Sequence, residues 1–124
     1  KFDVENPIDE MVKNADKWMN LDTSVGFCVK PVLQWLPNKE YRPDVIFYDG
    51  EVGDNMVANL EHLHEQAKDN YILIIDDANF NGVVDNAKKF QEDKEVVFEK
   101  TLRTEIAEDD KSWWNGLHIM VISK

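Results

Sequence analysis

The chain predicts an α/β domain: a Rossmann-like, doubly wound, mostly parallel sheet that closes on a C-terminal antiparallel hairpin. Three observations predict it. Short, nearly continuous apolar runs recur along the 124 residues, stretches with helical spacing separate them, and several of the runs end on acids or glycine. Runs of that kind joined by helical crossovers indicate parallel strands covered on both faces, with right-handed connections.

The elements follow in order. Asn6-Pro7 offers an N-cap and a first-turn proline, and Ile8, Met11, Val12, Ala15, Trp18 and Met19 recur at spacings of three and four, predicting a helix over 7–19. Residues 25–29 read as a buried strand, and a helical turn over 31–36 follows Pro31. The run 44–48 is a second strand, ending at Asp49-Gly50. After Gly53-Asp54 comes a helix over 55–68, with Met56, Val57, Leu60, Leu63 and Ala67 on one stripe. Residues 71–75 form a third strand that stops at Asp76-Asp77, and Val83, Val84, Ala87 and Phe90 mark another helical face. The last two strands, 96–102 and 117–122, are joined by a polar loop without a helical stripe, which suits an antiparallel hairpin.

Composition narrows the function classes. With 43% hydrophobic residues the chain can bury a core, so a single domain is expected. Its 14 basic against 25 acidic side chains, a net charge of −11, disfavour nucleic acid, whose binding depends on clustered Lys and Arg. The apolar runs are far shorter than the roughly 20 residues of a membrane span. The single cysteine, Cys28, forms no intrachain disulfide, so a reducing, cytoplasmic location is expected, and its apolar strand suits an inert core thiol.

Candidate chemistry lies beyond the carboxyl ends of the strands, where ligands of open α/β sheets bind. Asp49, Asp76 and Asp77 stand there. Converging carboxylates suit a hard cation such as Mg2+ or Ca2+, and the same acids can equally cap helices. His62 and His64 do not share a helix face and read as solvated surface residues. Trp113 and Trp114 line a pocket or pack the hairpin, and Glu105, Glu108, Asp109 and Asp110 form a solvated acidic loop.

Taken together, "DVIFYDG" (44–50), the crossover helix, "YILIIDDANFNGVV" (71–84) and the closing hairpin resemble the second half of a class I S-adenosylmethionine-dependent methyltransferase. The likeness is closest to the small-molecule "IDG" group and the cation-dependent catechol and caffeoyl-CoA O-methyltransferases. It implies methyl transfer to a small acceptor. Asp49 matches the family's first cation-binding Asp, and Asp76-Asp77 stand in place of its Asp-Asn pair. Asp49 is also assigned to cofactor binding, and Asp3 falls where an acid holds the cofactor ribose. Val52 occupies the place of the usual Lys, so no catalytic base is visible.

No counterpart of the family's glycine-rich loop precedes these elements, and the chain opens on Lys1. The resemblance therefore implies a C-terminal part of the domain, weak cofactor binding, and cover from a homodimer or a complementing N-terminal half. Two alternatives stand beside it. One is a non-enzymatic methyltransferase-like interaction module; the other is a permuted receiver-like phosphoacceptor domain.

Overall fold

The computed structural model describes residues 13, 31–37, 40, 42–103 and 115–124. Lys13 is helical and exposed. The rest of the helix expected over 7–19, the strand over 25–29, Asp3, Cys28, Trp113, Trp114 and the loop acids Glu105, Glu108, Asp109 and Asp110 lie outside the described residues.

A 3-10 turn at Val32–Gln34 comes first, then β1 (Val45–Tyr48), α1 (Asp54–Gln66), β2 (Asn70–Asp76), α2 (Asn81–Gln91), β3 (Glu95–Leu102) and β4 (Leu117–Ser123). These four strands make one mixed sheet in the order β1-β2-β4-β3. β1 and β2 are parallel, and β4 runs antiparallel to both β2 and β3. The expected hairpin is therefore present, but its second strand lies inside the sheet against β2 rather than at the edge.

Both crossovers step across the sheet in the same direction, so right-handed connections put α1 and α2 on the same face. Met56 and Leu60 of α1 and Val83, Ala87 and Phe90 of α2 close there over Ile46, Tyr48, Tyr71, Leu73, Ile75, Met120 and Ile122. The aromatic core of α2 is tied to α1 by Lys94, whose side chain is 5% exposed. Its ammonium bonds Glu61 Oε1 at 2.7 Å and sits 4.4 Å from the centre of the Phe90 ring. A buried ammonium needs such a partner, because burial disfavours its charge.

On the opposite face, also expected to be covered, the described residues place no helix. Val45, Ile72, Val121 and Phe98 form one row across the four strands, and Phe47, Ile74, Ile119 and Lys100 the next. Val45 and Phe47 are more than half exposed, and no described helix lies over these rows. The strands read as continuous apolar runs, yet β1 and the first half of β2 alternate exposed and buried. One edge strand is irregular: β3 shifts register between Val96 and Phe98, leaving Val97 as the extra residue of a bulge.

Candidate functional site

Both parallel strands end at the same edge of the sheet. Tyr48 pairs with Ile75, so Asp49 and Asp76 are the next residues of adjacent strands, which lie about 4.8 Å apart. Beyond Asp49 the chain folds back over a ring. Tyr48 donates its hydroxyl to the Glu51 carbonyl at 2.9 Å and accepts from Asn59 Nδ2 at 3.2 Å. A Cβ at Gly50 would stand 2.7 Å from that ring, so glycine is the residue that lets this turn close.

At the end of β2 the backbone is held in an uncommon state. Asp77 has φ +63, in the left-handed region that non-glycine residues rarely occupy. Its amide donates to the Asp76 carboxylate at 2.8 Å, and its own Oδ1 accepts from Asn115 Nδ2 at 2.6 Å. Two backbone bonds complete the lock: the Asn79 amide to the Asn115 carbonyl at 2.6 Å and the Ala78 amide to the Gly116 carbonyl at 3.2 Å. The turn entering β4 thus clamps the turn leaving β2. Gly116 is essential to the fit, with φ +77 and the Leu102 carbonyl oxygen 2.6 Å from where a Cβ would lie.

Asp49, Asp76 and Asp77 are placed along one edge as expected, Asp76 and Asp77 in sequence and Asp49 just past the neighbouring strand. Among the described residues, no three His, Cys, Asp or Glu side chains are grouped so as to hold a metal ion. One oxygen of Asp76 and one of Asp77 are already engaged by the loop itself. Among the described residues these acids are not gathered into a cation site, and no step is routed through one. Asp3 lies outside the described residues.

The two histidines of α1 depart from the solvated reading. His62 Nε2 lies 2.7 Å from the Trp35 carbonyl, and His64 Nδ1 2.8 Å from the Tyr71 hydroxyl. Burial, with Lys124 and Lys94 nearby, holds the His64 pKa below its usual value. The His64 ring also packs against Tyr71 and Phe90. Asn115 and His118 were not singled out by the sequence, because each acquires its partner only across the sheet, Asn115 from a residue 38 positions away.

At the opposite edge, an open cleft of about 360 Å3 is lined by Arg42, Lys68, Asp69 and Asn70. Its cations are already engaged. Arg42 donates to the carbonyls of Gln66 and Glu65 at the end of α1, which favours positive charge, and Lys68 pairs with Asp44 at 2.7 Å. No described helix is long and apolar enough to cross a membrane. No family model matches the chain, and neither a curated protein nor a solved structure is matched by it.

Proposed function

We propose that the chain carries the acceptor-side half of an S-adenosylmethionine-dependent methyltransferase that acts on a small molecule, within a Rossmann-like fold. The observation that supports this most is the acid-tipped parallel pair β1–β2, followed by an antiparallel β3–β4 pair, with the Asp77 turn clamped by Asn115. In this reading Asp49 contacts the cofactor and Asp3 its ribose. The Asp76–Asp77 turn, held rigid from below, positions the acceptor so that its oxygen or nitrogen lies in line with the sulfonium methyl. The bound donor would supply the methyl and be left as the neutral thioether S-adenosylhomocysteine, while the acceptor's proton would pass to solvent.

Titrating S-adenosylhomocysteine into labelled protein tests this. The amides of Asp49, Gly50, Asp77 and Asn115 are expected to shift, with the response lost in Asp49→Ala. With no counterpart of the glycine-rich loop, affinity is expected near 1 mM or weaker, which stabilises by only about 0.4 kcal/mol at 1 mM ligand. An equal response in the variant, or shifts confined to other edges of the sheet, would remove these acids from the site. A parallel titration with Mg2+ or Ca2+ and Asp76→Ala decides the cation-assisted form, because equal responses in both proteins would exclude it.

A second reading, the interaction module, is favoured by the apolar rows of the sheet that no described helix covers. Contiguous exposed patches of this kind mark contact surfaces. Its occupant in this reading is a second copy of the chain or a complementing N-terminal half. Light scattering is expected to give a dimer that Phe47→Asp converts to monomer; a monomeric parent would leave the second copy without support.

A further inference from the structure

One side chain in the helix-covered core is polar and incompletely bonded. His118 of β4 has no solvent exposure. Its Nδ1 lies 2.8 Å from Thr101 Oγ1, while Nε2 has no hydrogen-bond partner and faces Glu99 Oε1 at 3.6 Å. That distance is too long for a hydrogen bond. Glu99 is held on its other oxygen by Gln91 Nε2 of α2 at 3.3 Å, and Gln91 Oε1 is itself buried without a partner.

The separation fits the neutral Nδ1–H tautomer. Were Nε2 to carry the proton, it would point at a carboxylate and close to hydrogen-bond distance. With the proton on Nδ1 and donated to Thr101, a lone pair faces the carboxylate, and the two groups stand off. The assignment rests on this bonding pattern, since hydrogen positions follow from the heavy-atom network.

We propose that His118 and Glu99 form an acid-operated switch at the seam of β3, β4 and the last turn of α2. A proton taken from solvent by Nε2 turns the stand-off into a charge-assisted bond to Glu99 Oε1, and Glu99 moves inward, away from Gln91. Two ionisable groups act on the ring, Glu99 from β3 and Lys88 from α2; β2 presents Ile75, its cross-strand partner, and no described group of α1 acts on it. The rearrangement is adjacent to the clamp. Thr101 pairs with His118 and Leu102 with Leu117, and the Leu102 carbonyl packs on Gly116, next to Asn115 and Asp77. This link bears on the proposed function, whereas the proton switch itself does not depend on it.

The sign of the pH effect follows from burial, which lowers the His118 pKa; Glu99 opposes that and Lys88 adds to it. The folded protein therefore binds fewer protons than the unfolded chain between the lowered value and 6.5. Stability from this group is complete above 6.5 and is lost as pH falls through the folded value.

Nuclear magnetic resonance of the histidine rings tests the switch in the intact chain. His118 is expected to show the Nδ1–H tautomer at neutral pH and a titration midpoint below 6.5. Glu99→Gln is expected to move the midpoint down, and Lys88→Gln, on an exposed position, to move it up. The amides of Asn115 and Gly116 should titrate with the same midpoint, whether or not a methyl donor binds. A midpoint at the ordinary histidine value, no response to either variant, or global unfolding coincident with His118 protonation would overturn the proposal. If Glu99→Gln does not fold, the Lys88→Gln shift decides alone.

Discussion

Replacing Gly116 with alanine is expected to destabilise the protein by about 2–5 kcal/mol. Two costs add. A side chain in the left-handed region costs about 1–2 kcal/mol, and Gly116 has φ +77. The new Cβ would also lie 2.6 Å from the Leu102 carbonyl oxygen and 2.7 Å from Asn79 Oδ1. The first of these is backbone in a paired strand, which cannot swing aside as a side chain can, so overpacking adds about 1–3 kcal/mol. For a domain of this size the melting temperature should fall by roughly 8–20 °C. A fall smaller than a few degrees would show that the turn relaxes without disturbing β3. The same variant should release Asp77, because the Asn115 carboxamide and the Gly116 carbonyl move with the turn.

Phe90→Ala is expected to have a comparable effect at the other end of the core, about 3–5 kcal/mol. The ring is completely buried where α2 meets the sheet, edge-on to His64 at 6.0 Å between centroids and beneath the Lys94 ammonium. Truncation leaves a cavity and removes the aromatic face from a cation whose side chain is almost fully buried. Phe90→Leu keeps most of the volume and should cost less than about 1.5 kcal/mol. Urea unfolding separates the two expectations. A lower midpoint with an unchanged slope signals lost packing, whereas a lower slope signals a loosened native state. Equal midpoints for the alanine variant and the parent would mean that α2 repacks without the ring.

The apolar runs over 44–48 and 71–75 and the stripe Met56, Leu60, Val83, Ala87 and Phe90 were enough to read the strands and helices that make the core. Each is a local pattern, set by a period of two or of 3.6 residues. The insertion of β4 between β2 and β3 was not legible, because antiparallel pairing with β3 is compatible with either side of that strand. Cover on both faces was inferred from apolar strands alone; among the described residues helices cover one face, and Val45 and Phe47 lie on the other, because a continuous apolar run does not say what lies over it. At the acid edge, Asp49, Asp76 and Asp77 could be placed from the ends of their strands. The clamp could not, since Asn115 meets Asp77 only after four strands have assembled. His118 was not singled out, because its polar surroundings come from β3, where strict alternation from Val96 would turn Phe98 inward and Glu99 outward.

The bulge at Val97 reverses that alternation. It counts two residues of β3 against one of β4, so Val96, Glu99 and Thr101 share the face with His118 while Phe98 and Lys100 turn away. The strand therefore holds two readings of the same letters. In the regular one Phe98 and Lys100 would lie under α2, with an ammonium facing the histidine; in the bulged one a carboxylate and a hydroxyl do. A slip of one residue exchanges them, because every side chain beyond the slip changes face. Deleting Val97 leaves only the second reading, now as an unbroken strand. The sign of the charge beside His118 is thus decided by a count of residues and not by the identity of any one of them.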